Sequence, residues 1–443
     1  MNNEKMFREE SVWKVLVKTS IPTIITMFVV ILYNMADIFF IGKTGDAMQV
    51  AALSLTTPIF TLMSAFGTLV GSGGCSAIAI AMGKKEEKTV KSMSSFCCYS
   101  ALIIGTVFAV VVLLMINPIL RLLGTNEATY TFAKTYMMIL VLGAPATIFS
   151  SACGNMVRAE GAVKVSMFGN LTGSLVNIAL DPLLILGLHM GVAGAAIATV
   201  IGNLISCLFY LVYILKKSTC LSLHIKNFSI RKEISVPVLT LGFPTTIGVL
   251  LSSLSSALSN NILVGYGEVA VAAMGVAGKL SMIVTMLQMA ICTGIQPVLA
   301  YNFGAGSMKR MMEFIKKTGI VTILTGFVLT IISFIIRSAF ISGFINDPEV
   351  IAYGERMVMG TMVTGPFIGI YYLTTNFLQA TAKPSFASLM SLLRQGLIFI
   401  PMLFILSRFA GLNGIIFAHP VSDLLSTAVG IGLCFIHYRK ITA

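Results

Sequence analysis

Acidic side chains are scarce in this sequence. Its 443 residues hold 17 Asp and Glu against 30 Lys and Arg, and only 11% of residues are charged. A soluble domain carries about 25%, so a soluble globular chain is excluded. Tryptophan occurs once and histidine four times. The histidines lie far apart, and no Ser/His/Asp or H-E-x-x-H arrangement is present. No catalytic residue and no cofactor are therefore expected, and the chain does not read as an enzyme. The eight cysteines (Cys75, Cys97, Cys98, Cys153, Cys207, Cys220, Cys292, Cys434) form no C-x-x-C pair, and vicinal Cys97-Cys98 lacks metal-site spacing. They read as reduced, small packing residues. Gly71-Ser72-Gly73-Gly74 has no following Lys and sits mid-span, so it is close helix packing rather than a phosphate loop.

Apolar residues are abundant instead: 56% of the chain, with a mean hydropathy of +0.93. Runs of about 20 apolar residues, enough to cross a hydrocarbon core of ~30 Å, recur throughout. They predict twelve spans, over 14–42, 48–82, 90–116, 130–155, 160–188, 192–215, 236–265, 271–303, 311–338, 351–380, 384–408 and 413–437. The first ten residues are charged and no A-x-A site follows, so no cleaved signal peptide is expected.

The sequence also repeats itself. Ser20-Ile21-Pro22-Thr23 is answered by Gly242-Phe243-Pro244-Thr245, Val50-Ala51-Ala52-Leu53 by Val271-Ala272-Ala273-Met274, and Gly191-x-x-Gly194 by Gly411-x-x-Gly414. From Gly83 to Gly304 and from Asn155 to Asn376 the offset is 221 residues. A constant offset near half the length marks two homologous halves, a frequent plan among transporters. Six spans per half return the chain to its starting side, so the halves share one orientation. The expected architecture is an all-α integral membrane protein of twelve transmembrane helices. Residues 1–215 form one six-helix lobe, 216–235 a cytoplasmic linker and 236–443 a second lobe, with a central cavity and no inter-lobe disulfide.

A net charge of +13 would suit a nucleic-acid binder, but its placement argues otherwise. Lys5, Arg8, Lys14 and Lys18 open the chain; Lys84, Lys85, Lys88 and Lys91 follow span two; Lys216, Lys217, Lys226, Arg231 and Lys232 fill the linker; Lys309, Arg310, Lys316 and Lys317 follow span eight. Arg439 and Lys440 close it. Bases on every second loop give the positive-inside pattern, hence a multi-pass protein of the plasma (inner) membrane with both termini cytoplasmic. Without aromatic interleaving these clusters imply lipid contact rather than nucleic acid.

Most acidic residues fall in loops, but Asp37 lies deep in span one and Asp181 in span five. A carboxylate at membrane depth costs about 2.5–3.5 kcal/mol on insertion scales, so it must be paired, solvated or protonated. No Lys or Arg stands three or four residues from either. A held proton or a bound cation, H⁺ or Na⁺, is then favoured at this pair, and no other metal is expected. Asn170, Ser174, Asn177 and Asp181 are spaced 4, 3 and 4 apart and form one polar stripe. Pro182 lacks an N–H and frees the Ile178 carbonyl. Tyr33 and Asn34 share a face with Asp37. In the second half, matching Gly42 to Gly265 sets Asn260 opposite Asp37, and matching Pro182 to Pro401 sets Ile400 opposite Asp181. Coupling chemistry is thus confined to the first half. Asn260, Gln296 and Tyr301 supply neutral polarity for either a substrate path or helix contacts. His419 and Asp423 read as an i, i+4 pair, and Arg158 with Glu160 as an ion pair or helix cap.

Several segments together resemble the multidrug and toxic compound extrusion (MATE) family, in its DinF- and MepA-like branch. They are Asp37-Ile38-Phe39-Phe40-Ile41-Gly42, Arg158-Ala159-Glu160-Gly161, Asn177-x-x-x-Asp181-Pro182, Gly294-Ile295-Gln296-Pro297 with Tyr301-Asn302-Phe303-Gly304, and Leu378-Gln379-Ala380-Thr381 with Lys383-Pro384. The resemblance covers essentially the whole chain. It implies a cation-coupled antiporter that exports amphipathic, often cationic compounds by alternating access, working as a monomer. It also implies a first-half cation site at Asp37, Asn177, Asp181 and Thr199, with Asn203 one turn beyond Thr199. The acids that the NorM-like branch carries in its second half are missing here. The other reading within the superfamily is a flippase for lipid-linked saccharides or lipids. It would need a cationic cavity, and Lys279 and Arg394 are sparse for one. A channel would need a polar lining in both halves. The residues leave H⁺ and Na⁺ open, because a carboxylate, amide and hydroxyl cage suits either.

Overall fold

The computed structural model describes residues 2–442, and every regular element among them is helical. Among the described residues ten helices are long and apolar enough to cross a membrane, and twelve spans result when each of two bent pairs counts as one. The first half holds α1 (Val12–Gly42), α2 (Ala47–Gly83), α3 (Glu87–Leu114), α4 (Glu127–Leu142 with Ala144–Ala159), α5 (Val163–Gly187) and α6 (Val192–Lys216). The second holds α7 (Lys232–Val264), α8 (Glu268–Gly304), α9 (Met308–Ser342), α10 (Pro348–Met362 with Gly365–Ala380), α11 (Pro384–Ala410) and α12 (Leu412–Ile441).

Local chemistry sets the boundaries. Asp46 starts α2 by accepting from the Met48 N–H, Asn126 starts α4 in a reciprocal pair with Thr129, and Asp347 starts α10 by accepting from Glu349 and Val350. The bends of 51° in α4 and 44° in α10 fall just before Pro145 and Pro366, whose missing N–H groups interrupt the ladder. The repeat is written into the backbone. Gly161 (φ +85°) and Ala382 (φ +54°) turn the chain before α5 and α11, and Gly191 (φ +53°) and Gly411 (φ +57°) before α6 and α12. Both α5 and α11 contain a π-helical turn, but at different places: Pro182–Gly187 in α5 and Leu393–Leu397 in α11.

The chain divides into two compact units, one of residues 1–10 and 21–246, the other of 11–20 and 247–443. Each has its own apolar core, the first around Met63, Leu140 and Ile185, the second around Val284, Met357 and Leu403. Residues 216–235, expected as the cytoplasmic linker, group with the first unit, where α3 holds them. Tyr99 donates to the Leu223 carbonyl at 2.9 Å, Ser95 to the carbonyls of Ser222 and His224 at 3.0 Å each, and Phe228 stacks on Phe96. The first turns of α7 join the same unit, since Gly242 lets its backbone lie directly on the Leu69 carbonyl of α2. Large apolar side chains such as Leu114, Leu122 and Phe409 point outward, 81–87% exposed, the surface that lipid rather than water would cover.

Candidate cation site

The four residues Asp37, Asn177, Asp181 and Thr199 come together inside the first unit. All four are buried, with exposures of 7%, 3%, 0% and 5%. The Asn177 amide is the hub. Its Nδ2 stands 3.4 Å from Asp37 Oδ1, 3.5 Å from Asp181 Oδ1 and 3.5 Å from Thr199 Oγ1. One amide group thus faces three acceptors at the outer edge of hydrogen-bonding distance. The cluster is loose for its depth. Asp181 Oδ2 and Asn177 Oδ1, both buried, have no partner, and no ion pair to Lys or Arg reaches either carboxylate among the described residues.

The geometry follows from the local sequence. Asn177 and Asp181 are one turn apart on α5, so both point the same way. The approach of α6 is set by facing glycines. A Cβ on Gly202 would meet the Gly173 carbonyl oxygen at 2.6 Å, and a Cβ on Gly173 would collide with Ser206. Two small residues therefore bring Thr199 within reach of Asn177. Farther along the α5 stripe Asn170 donates to the Tyr210 hydroxyl of α6 at 2.8 Å, while Asn203 donates within α6 to the Thr199 carbonyl at 3.0 Å.

Two cavities adjoin the cluster. One of about 100 Å³ is lined by Tyr33, Asn170, Ser174, Asn177, Thr199 and Asn203. The other, about 160 Å³, is lined by Tyr33, Asn34, Asp37, Phe60, Tyr136 and Thr199. Tyr33 and Thr199 border both. Each has room for water, and neither is lined by a Lys or Arg. Tyr136 of α4 escaped the sequence reading; a phenol inside an apolar span was its only signal. Asn34 lines the second cavity while donating to its own helix at the Val30 carbonyl, 2.7 Å away.

The remaining candidates lie elsewhere. Asn260 is exposed, Tyr301 is buried, and Gln296 is buried with its amide 2.8 Å from Gln379 Oε1; none of the three lines either cavity. Asp423 does not pair with His419. It receives Arg394 Nε at 2.6 Å, while His419 stacks on Phe399. Sequence spacing favoured the i, i+4 neighbour, and tertiary packing supplied a partner 29 residues away. Glu160 likewise does not hold Arg158. It accepts from the Tyr213 hydroxyl at 2.5 Å and Ser218 Oγ at 2.7 Å, while Arg158 bonds to Asn155. Burial pushes the Glu160 carboxyl above its ordinary range, and those two donors oppose the shift.

Known proteins bear on the whole chain. The MatE family model matches it twice, over residues 22–183 and 244–405. The Multidrug export protein MepA of Staphylococcus saprophyticus is 32% identical over 445 residues, covering 100% of this chain and 98% of that protein. The MepA of Staphylococcus aureus is 31% identical with the same coverage. A crystal structure of MATE in complex with MaL6 has the same fold, with a TM-score of 0.95 at 21% identity over 100% of this chain and 99% of that one. An outward-facing multidrug resistance MATE family transporter of the MOP superfamily gives 0.94, also at 21% identity. With its fold and both homologous halves matched, the chain belongs to the MatE family of multi-pass membrane transporters.

Proposed function

We propose that this protein is a multidrug exporter of the plasma membrane that moves amphipathic, often cationic compounds outward in exchange for H⁺ or Na⁺, with both termini cytoplasmic. The coupling ion binds at Asp37, Asn177, Asp181 and Thr199. The relatives named as multidrug export proteins support the substrate class. One observation carries the coupling: among the described residues the two buried carboxylates have no basic partner, and Asp181 Oδ2 and Asn177 Oδ1 have no hydrogen-bond partner. An unsatisfied buried acceptor costs about 1–3 kcal/mol. A proton or sodium ion placed among these oxygens removes that cost and the mutual repulsion of the carboxylates.

The cycle then has a physical driver. Ion binding draws α1 toward α5 and α6 through shared ligands, which reshapes the cavity that Tyr33, Asn34 and Asp37 line. A drug cation held near the same carboxylates is displaced by charge and by space. Only an ion that binds one conformation better than the other can shift the balance between them. Cavities free of Lys and Arg suit cationic cargo and speak against a pyrophosphate-linked saccharide. No catalysis or further cofactor is invoked, and a monomer suffices.

Ethidium transport in everted membrane vesicles tests this reading. Asp37→Asn and Asp181→Asn keep volume and hydrogen bonding but remove the charge. Both variants should insert at normal levels and lose most transport. A wild-type rate from Asp181→Asn would leave the stripe as helix packing and end the proposal.

A further inference from the structure

The two halves share helix contacts at matching positions, and at one of these the side chains differ informatively. In the first half Gly169 of α5 packs on Tyr210 of α6, and in the second Met390 of α11 packs on Gly430 of α12. One turn on, Gly202 of α6 stands against the Gly173 carbonyl, and Ser422 of α12 donates to the Arg394 carbonyl at 2.6 Å. From Gly173 to Arg394 is 221 residues, and from Asn203 to Asp423 is 220. Arg394 therefore occupies the place of Gly173. In the first half Gly173, lacking a side chain, lets α6 come into contact and borders the cavity beside Ser174 and Asn203. In the second half an arginine side chain leaves the same position, held by a carboxylate where the first half has an amide.

The guanidinium is framed by a carboxylate, a hydroxyl and two rings. Arg394 Nε donates to Asp423 Oδ1 at 2.6 Å and Nη1 to the Tyr372 hydroxyl at 3.2 Å. Its central carbon stands 4.8 Å from the Tyr371 ring centre and 5.4 Å from that of Tyr372. Asp423 Oδ2 accepts from Thr364 Oγ1 at 3.3 Å. The two charged side chains are only 12% and 11% exposed. A carboxylate backed by two aromatic faces is the composition of a cation receptor. The neighbouring place is closed as well: Phe399 stacks on His419 with ring centres 4.0 Å apart, where Asn177 meets Thr199 in the first half.

We infer that the second half contains a cation-binding site which the protein fills with its own side chain. Arg394 is a tethered ligand on Asp423, Tyr371 and Tyr372. Its removal opens the site to small exchangeable cations of the guanidinium class. The inference goes beyond the coupling reading and does not need it, since Arg394, Asp423, Tyr371 and Tyr372 all belong to the second unit.

The test is chemical rescue in full-length purified protein. Arg394→Ala leaves Asp423 buried without its partner and should lower thermal stability sharply. Low-millimolar methylguanidinium chloride should raise the melting temperature of Arg394→Ala by roughly 2 °C or more over sodium chloride at equal ionic strength. It should leave the wild type unchanged. The rescue should vanish in Arg394→Ala/Asp423→Asn and persist in Arg394→Ala/Asp37→Asn. Should Arg394→Ala fail to accumulate in membranes, the Asp423→Asn background should restore its level. Absence of rescue by methylguanidinium, rescue that survives Asp423→Asn, or no recovery of level in that background would each overturn the inference.

Discussion

Gly202→Ala probes how tightly the cation site depends on the approach of α5 and α6. The added Cβ would lie 2.6 Å from the Gly173 carbonyl oxygen and 3.2 Å from the Asn177 Cβ, where ordinary contact begins at 3.4 Å. The carbonyl belongs to backbone and cannot swing aside, so the helices must part by about 0.8 Å. Overpacking of this kind costs about 1–3 kcal/mol. The same movement carries Thr199 Oγ1 beyond its 3.5 Å contact with Asn177 Nδ2. Loss of that contact is worth at most about 1 kcal/mol, so affinity for the coupling ion should fall by up to about fivefold. Two readings on purified protein check this: the melting temperature, and drug transport in liposomes titrated with protons and with sodium in turn. Gly432→Ala serves as the control, because nothing lies within 4 Å of its added Cβ. An unchanged melting temperature together with an unchanged ion dependence in Gly202→Ala would refute the reasoning.

Two further outcomes are expected. The buried Glu160 carboxyl holds its proton in the folded protein at pH values where the unfolded chain has released it, so stability should fall as pH rises from the ordinary glutamate range through the raised one. Glu160→Gln cannot titrate and should flatten that window in melting curves taken against pH; an identical slope in both proteins would contradict it. Single cysteines placed at Lys88 or Lys226 in a cysteine-free background should resist an impermeant thiol reagent applied to intact cells. Labelling from outside would reverse the assigned orientation.

Much of the fold was legible because a membrane leaves few options. Apolar runs and the repeat have one reading in lipid. Asp37 and Asp181 were legible as candidates because a carboxylate at depth stands out against an apolar background, whereas their grouping with Asn177 and Thr199 came from the family resemblance. Register between the halves was not legible. Pro182 and Pro401 look like counterparts, yet Gly194 packs on Leu184 and Gly414 on Leu406, which sets Leu403 rather than Ile400 opposite Asp181. The π-helical turns sit at different points of α5 and α11 and shift the count between them. The Arg394–Asp423 pair was hidden because its partners lie on different helices, whereas spacing reveals only neighbours on the same one. The attachment of residues 216–235 to α3 was equally invisible, resting on hydroxyls of Ser95 and Tyr99 that donate to backbone carbonyls.

The central claim is that an inward cation flow through Asp37 and Asp181 drives export. Purified protein in liposomes, with a proton gradient and a sodium gradient imposed separately, tests it most directly. Drug movement should follow one of the two gradients and disappear in Asp37→Asn. Equal downhill flux with neither gradient, unaffected by Asp37→Asn, would show a facilitator and contradict the account.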